Sequence, residues 1–135
     1  MQVVDWQNTA GWCVDFNATA NSGERITLDP EQQLGILRVV SNVPDKRACK
    51  PSAQSWIYEF DYQTGSYLPE AIEKVVGRKI SESNLIAGKR TLKLGEKVLS
   101  LLTDESGKIT SINSIVPTSV TNSVKRFSWC EIDEQ

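Results

Sequence analysis

Four rings on every second residue, Trp56, Tyr58, Phe60 and Tyr62, are the side chains of this sequence best spaced to act together. In an extended strand they share one face. Such a stripe is either a layer of hydrophobic core or an open stacking platform for a sugar or a base. Core is the expectation, because large apolar side chains at strand period are usually buried. Ser55, Glu59 and Asp61 fall on the opposite face, with Ile57 its one apolar member. Gln63-Thr64-Gly65-Ser66 then supplies a turn, with Gly65 free to take positive φ.

Other chemistry is sparse. The chain has no histidine, the commonest general base and metal ligand. A Ser-His-Asp or Cys-His site cannot be built from it. Cys13, Cys49 and Cys130 are far apart and form no Cys-x-x-Cys pair, which argues against zinc. Their odd number leaves at least one thiol unpaired within a monomer. Lys46, Arg47 and Lys50 cluster around Cys49 and read as a solvated loop, with Asp45 beside them. Asn17-Ala18-Thr19 is a glycosylation sequon of a kind that often arises by chance. Asp104, Glu105 and Ser106 read as turn chemistry, since no Asp-x-Asp-x-Asp run is present to bind calcium. No residue is therefore assigned a catalytic, cofactor-binding or metal-binding role.

The elements that must position these residues are mostly strands. At 135 residues, with 39% hydrophobic and 24% charged, the chain suits a single packed domain spanning 1–135. A net charge of −2 gives no long-range pull on nucleic acid or anionic lipid. No run of 18 apolar residues exists to span a membrane, and the N-terminus lacks a signal-peptide pattern. Trp12, Val14 and Phe16 alternate with polar residues, predicting a strand that returns through 24–28 as a hairpin. Asp29-Pro30-Glu31-Gln32 starts either one helical turn closed by Gly35 or a plain turn. Ile36 to Val43 is an apolar, β-branched run, a buried strand stopped by Pro44.

One helix is expected, near 69–77. Pro69 opens it, Ala71, Ile72, Val75 and Val76 form its apolar stripe, and Gly77 closes it. Strands follow at 85–94, 97–102 and 108–116, with turns at Gly95-Glu96 and around Gly107. A last extended segment runs from Val120 to Ile132. Strand–turn–strand units beginning at Gly11, Ser55 and Lys97, each with a glycine in its turn, form a weak repeat. The expected fold is mainly β: antiparallel hairpins or a meander in propeller-blade-like sheets, with a β-trefoil as the alternative.

Two blocks carry a resemblance. One runs Gly11-Trp12-Cys13-Val14-Asp15-Phe16, Ser22-Gly23-Glu24-Arg25-Ile26, then Pro30. The other runs Asn42-Val43-Pro44, Cys49, then Ser55-Trp56-Ile57-Tyr58-Glu59-Phe60-Asp61-Tyr62-Gln63-Thr64-Gly65. In this order they are similar to the C-terminal region of the tip-associated adhesin and biogenesis proteins of type IV pili, the PilY/PilC type. Thr103 to Thr110 and Lys125-Arg126-Phe127-Ser128-Trp129-Cys130-Glu131 resemble that family's closing hairpin and ending. Cys13 and Cys130 depart from it, standing where the family has Tyr and Arg, and invite a disulfide between the first and last strands.

The resemblance implies the C-terminal fragment of a larger exported protein, outside the cell at the pilus tip or in transit through the periplasm. It implies a non-catalytic role in pilus biogenesis, adhesion and twitching motility. Its partners would be pilin or minor pilins, the rest of its own chain and a host-surface receptor, with no nucleic acid and no membrane span. The full-length family uses calcium, but its loop is not found here, so no cofactor is expected in this stretch. Two other likenesses compete. Gln54-x-Trp56 with Cys49 resembles ricin-type lectins, implying a carbohydrate-binding trefoil. Tyr58-x-Phe60-Asp61-x-x-Thr64-Gly65 is similar to the repeats of quinone-dependent dehydrogenase propellers.

Overall fold

The computed structural model describes residues 4–16, 23–45, 53–71 and 74–114. Within them every paired element is an antiparallel strand and none is a helix. Two long strands dominate, β3 (Ile36–Pro44) and β4 (Ala53–Asp61). They pair along their full length, from Ile36 opposite Asp61 to Pro44 opposite Ala53. Two short strands, β1 (Arg25–Ile26) and β2 (Glu31–Gln33), share the other edge of β3. β5 (Gly77–Ser81) pairs with β4 across an irregularity at Ser55 and Trp56. The second sheet is the meander β6 (Ile86–Leu94), β7 (Lys97–Asp104) and β8 (Ile109–Ser114).

Both sheets are open. The described strands thus form five-stranded and three-stranded sheets, not the closed barrel that a trefoil needs. The expected helix near 69–77 is corrected. Pro69 and Glu70 lie in a turn, and Gly77 begins β5 instead of ending a helix; residues 72–73 lie outside the described set. Two turns of helix nucleate poorly on their own, and backbone pairing with β4 is the stronger claim on 77–81. The expected strand at 12–16 is also absent, so the first hairpin does not form. β1 pairs with Ser41 and Asn42 instead. The segment begun by Asp29 takes neither of the expected forms. Glu31–Gln33 is a strand, and the reversal comes at Leu34 and Gly35, both left-handed at φ 55° and 77°.

The strands expected at 36–43, 85–94, 97–102 and 108–116 are found with ends within two residues of expectation, β8 being described only to Ser114, and the extended run carrying Trp56 to Tyr62 is found as β4. What expectation misplaced is the core. It lies between the sheets, where Val40 and Ile57 meet Ile86 and Leu102, flanked by Leu28, Ile80 and Ile112. Asn42 joins the sheets with its side-chain amide. Its Nδ2 donates to the Ile86 carbonyl at 3.2 Å and its Oδ1 accepts from the Ile86 N–H at 3.1 Å. The buried Ser55 hydroxyl sits 2.6 Å from Asn42 Oδ1 and 2.9 Å from the Asn84 carbonyl. A buried amide with both ends bonded fixes register in a way that apolar contacts alone do not.

Candidate functional site

Strand alternation assigns the ring stripe to the face of β4 that points away from the second sheet. Trp56, Tyr58 and Phe60 lie opposite Ser41, Val39 and Leu37 of β3. The stripe is therefore not a layer of the inter-sheet core, and Ile57, the exception on its polar side, is. Phe60 is buried, Trp56 and Tyr58 are half-buried, and Tyr62 is 42% exposed. The physical reason is that β4 is covered on both faces, so each alternate set of side chains finds a partner.

The cover on the ring face is the segment 11–16. Trp12 packs on Phe60 with ring centroids 5.6 Å apart, and Phe16 on Tyr58 at 4.6 Å. Tyr58 and Phe60 lie parallel, 6.0 Å apart. The Trp12 indole N–H donates to the Tyr62 carbonyl at 2.9 Å. Its ring fills the notch left by Gly65, where an added Cβ would come within 2.4 Å of Trp12 Cδ2. On the other side Tyr58 lies over Gly77, its register partner in β5, where an added Cβ would come within 2.6 Å of the ring. Lys79 Nζ stands 5.7 Å from the Trp56 ring centroid. Tyr58 and Phe60 are occupied by the chain's own rings and do not form an open platform.

Polar groups lock this arrangement. Glu24 accepts from the Ser41 hydroxyl and from the Tyr58 phenol, the latter at 2.7 Å. Burial, reinforced by the Glu24 carboxylate, pushes the Tyr58 phenol above its usual pKa. Asp61 Oδ1 accepts from the Gln63 and Thr64 N–H groups at 2.8 and 3.2 Å, holding the turn that presents Gly65. Arg25, next to Glu24 in sequence, is exposed on β1.

Beside Trp12 opens a cavity of about 630 Å³, bounded by Asp5, Thr9, Cys13, Thr64 and Ser66 among others. The Asp5 carboxylate is engaged, accepting from Asn8 Nδ2 at 2.6 Å and from the Gln7 N–H at 3.1 Å. The Asn8 bond is the main cause holding its carboxyl below the usual range. Cys13 is an exposed free thiol among the described residues; its expected partner, Cys130, is not among them. Cys49, Cys130, the sequon, the basic loop and the closing motif at 125–131 lie outside the described residues. Asp5 is the one charged side chain among the described residues that line the cavity, and Cys13 its one thiol.

Among the described residues no three His, Cys, Asp or Glu side chains gather to hold a metal ion. The Asp104 turn does not fit calcium. Its Oδ1 already accepts from the Ser106 N–H, the Ser106 hydroxyl and the Lys108 N–H, at 3.0, 2.6 and 2.9 Å. Its Oδ2 accepts from Asn84 Nδ2 at 2.8 Å. These bonds, the Ser106 hydroxyl first, lower its pKa to about 2.

Sequence reasoning missed a buried charge cluster between the sheets. Arg38, fully enclosed, donates from Nε to Glu59 Oε1 at 3.1 Å and lies 3.4 Å from the Ser114 hydroxyl. Arg78 Nη2 reaches the other Glu59 oxygen at 2.8 Å. The signal was present: Arg38 is the one charged residue within the apolar run 36–43, and Glu59 interrupts β4 on the face of Ile57. Compared with known proteins, the chain matches no family model, no curated protein and no solved structure.

Proposed function

We infer that this chain is a non-catalytic interaction module, the C-terminal part of a type IV pilus tip-associated adhesin and assembly factor. In this reading it is exported, acts at the pilus tip, and contacts pilin or minor pilins and the rest of its own chain. The observation that supports it is the meeting of the two motif blocks. Trp12 of the first is seated on Phe60 and Gly65 of the second, so residues far apart in sequence form one packed unit. Motifs that serve architecture would place their residues in mutual contact, as Trp12, Phe60 and Gly65 are. The occupied ring face also favours a surface that binds over one that reacts.

The test is made in the encoding organism. Substituting Trp12→Ala together with Gly65→Glu in the chromosomal copy should unseat the segment 11–16. Surface pilin, recovered by shearing and measured by immunoblot, should fall at least several-fold, and twitching zones should shrink with it. Purified chain should also bind the minor-pilin complex on a biosensor surface. Unchanged piliation together with no binding to minor pilins overturns the reading.

A further inference from the structure

The two terminal nitrogens of Arg38, Nη1 and Nη2, are buried and have no hydrogen-bond partner among the described residues. A guanidinium carries five donors, and leaving two nitrogens dry is costly. Charge around it is out of balance as well. Among the described residues Glu59 is the one acid bonded to Arg38, and it is shared with Arg78. A further cation, Lys89, is nearly enclosed, its Nζ 3.1 Å from the Arg38 carbonyl and 4.0 Å from Glu31 Oε2. Burial lowers the Lys89 pKa; Glu31 opposes this and the Arg38 charge adds to it. Hydroxyls complete the surroundings. Ser100 and Ser114 are buried with their oxygens 3.1 Å apart, a pair in which one proton is free to point elsewhere.

We propose that Arg38, with the Ser100 and Ser114 hydroxyls, forms an internal site between the two sheets for one small monovalent anion. Because solvent does not reach either nitrogen, the ligand belongs to the smallest monovalent anions, a halide or formate. The anion supplies the missing acceptor for Nη1 and Nη2 and offsets the positive charge that Glu59 divides between two arginines. Its place between β3, β4, β7 and β8 makes it a clamp on sheet packing, independent of what the outer surface binds.

The test is thermal unfolding of the full chain at constant ionic strength, with sodium gluconate, whose anion is too large to enter, replaced stepwise by chloride, bromide, formate or acetate. The Tm should rise by about 5 °C for each tenfold increase in the bound anion above its Kd. A response to halides only, or to formate as well, identifies the ligand. Arg38→Met should abolish the dependence, because Glu59 keeps Arg78 as its partner. A Tm indifferent to the anion, or an equal response in Arg38→Met, overturns the site. Should Arg38→Met not fold, wild-type crystals grown in bromide decide the matter. An anomalous peak in contact with Arg38 Nη1 or Nη2 supports the site, and its absence overturns it.

Discussion

Two residues show how local geometry sets what the chain tolerates. Gly65 and Gly95 have nearly the same left-handed φ, 65° and 62°. Only Gly65 faces a neighbour, the Trp12 ring, while a Cβ at Gly95 would meet nothing within 4 Å. Gly95→Ala should therefore cost only the left-handed penalty, about 1 kcal/mol. Gly65→Ala should cost about 1–3 kcal/mol more, because the indole must leave its notch. Urea midpoints give the difference, and a shift in tryptophan emission should accompany Gly65→Ala alone. Glu59 is the second case. Glu59→Ala leaves Arg38 buried without its carboxylate and should destabilise by about 3–5 kcal/mol. Arg38→Met should cost less, since Arg78 remains bonded to Glu59; equal losses in the two variants would contradict the shared-carboxylate geometry.

At the scale of elements, the β7–β8 turn is built around one carboxylate. Asp104 has its pKa lowered to about 2, so its bonds stabilise the folded state where the carboxylate is ionised. That contribution is complete above the unfolded value near 4 and is lost as pH falls through about 2. Asp104→Asn should be less stable than wild type at pH 7. The gap should narrow below about pH 4 and close near pH 2, as followed by urea denaturation across that range; a gap constant with pH would exclude the charged turn. This turn, like Gly95-Glu96, was legible in sequence because its chemistry is local. The same is true of the long strands, whose apolar runs and stop residues mark their ends. Residues 12–16 were not, since a period of two describes any segment with one covered side. Here Trp12 and Phe16 dock by ring contact and an indole hydrogen bond, with no strand partner.

For the molecule as a whole, the decisive fact is that β4 is covered twice. Its inner face carries Ile57 into the inter-sheet core, and its outer face carries the rings under 11–16. Ile57→Ala should cost about 2–5 kcal/mol, the range for emptying a packed aliphatic site. Tyr62→Ala, at the exposed end of the stripe, should stay within about 0.5 kcal/mol. Chemical denaturation separates the two, and a reversed order would return the core to the ring face. Pairing of the β4 edge with β5 depends on Tyr58 lying over Gly77, which replaces a cross-strand side-chain pair with a ring on bare backbone.

Sequence alone determined the β class, the positions of the long strands and the turns that carry their own chemistry, because these follow from contacts within a few residues. It also held the two blocks that meet at Trp12 and Gly65. Tertiary structure decided which face of β4 became the core, that 77–81 became a strand, and that Arg38 and Glu59 were enclosed together. Alternation states which side chains share a face, whereas only packing against a second layer determines what that face meets.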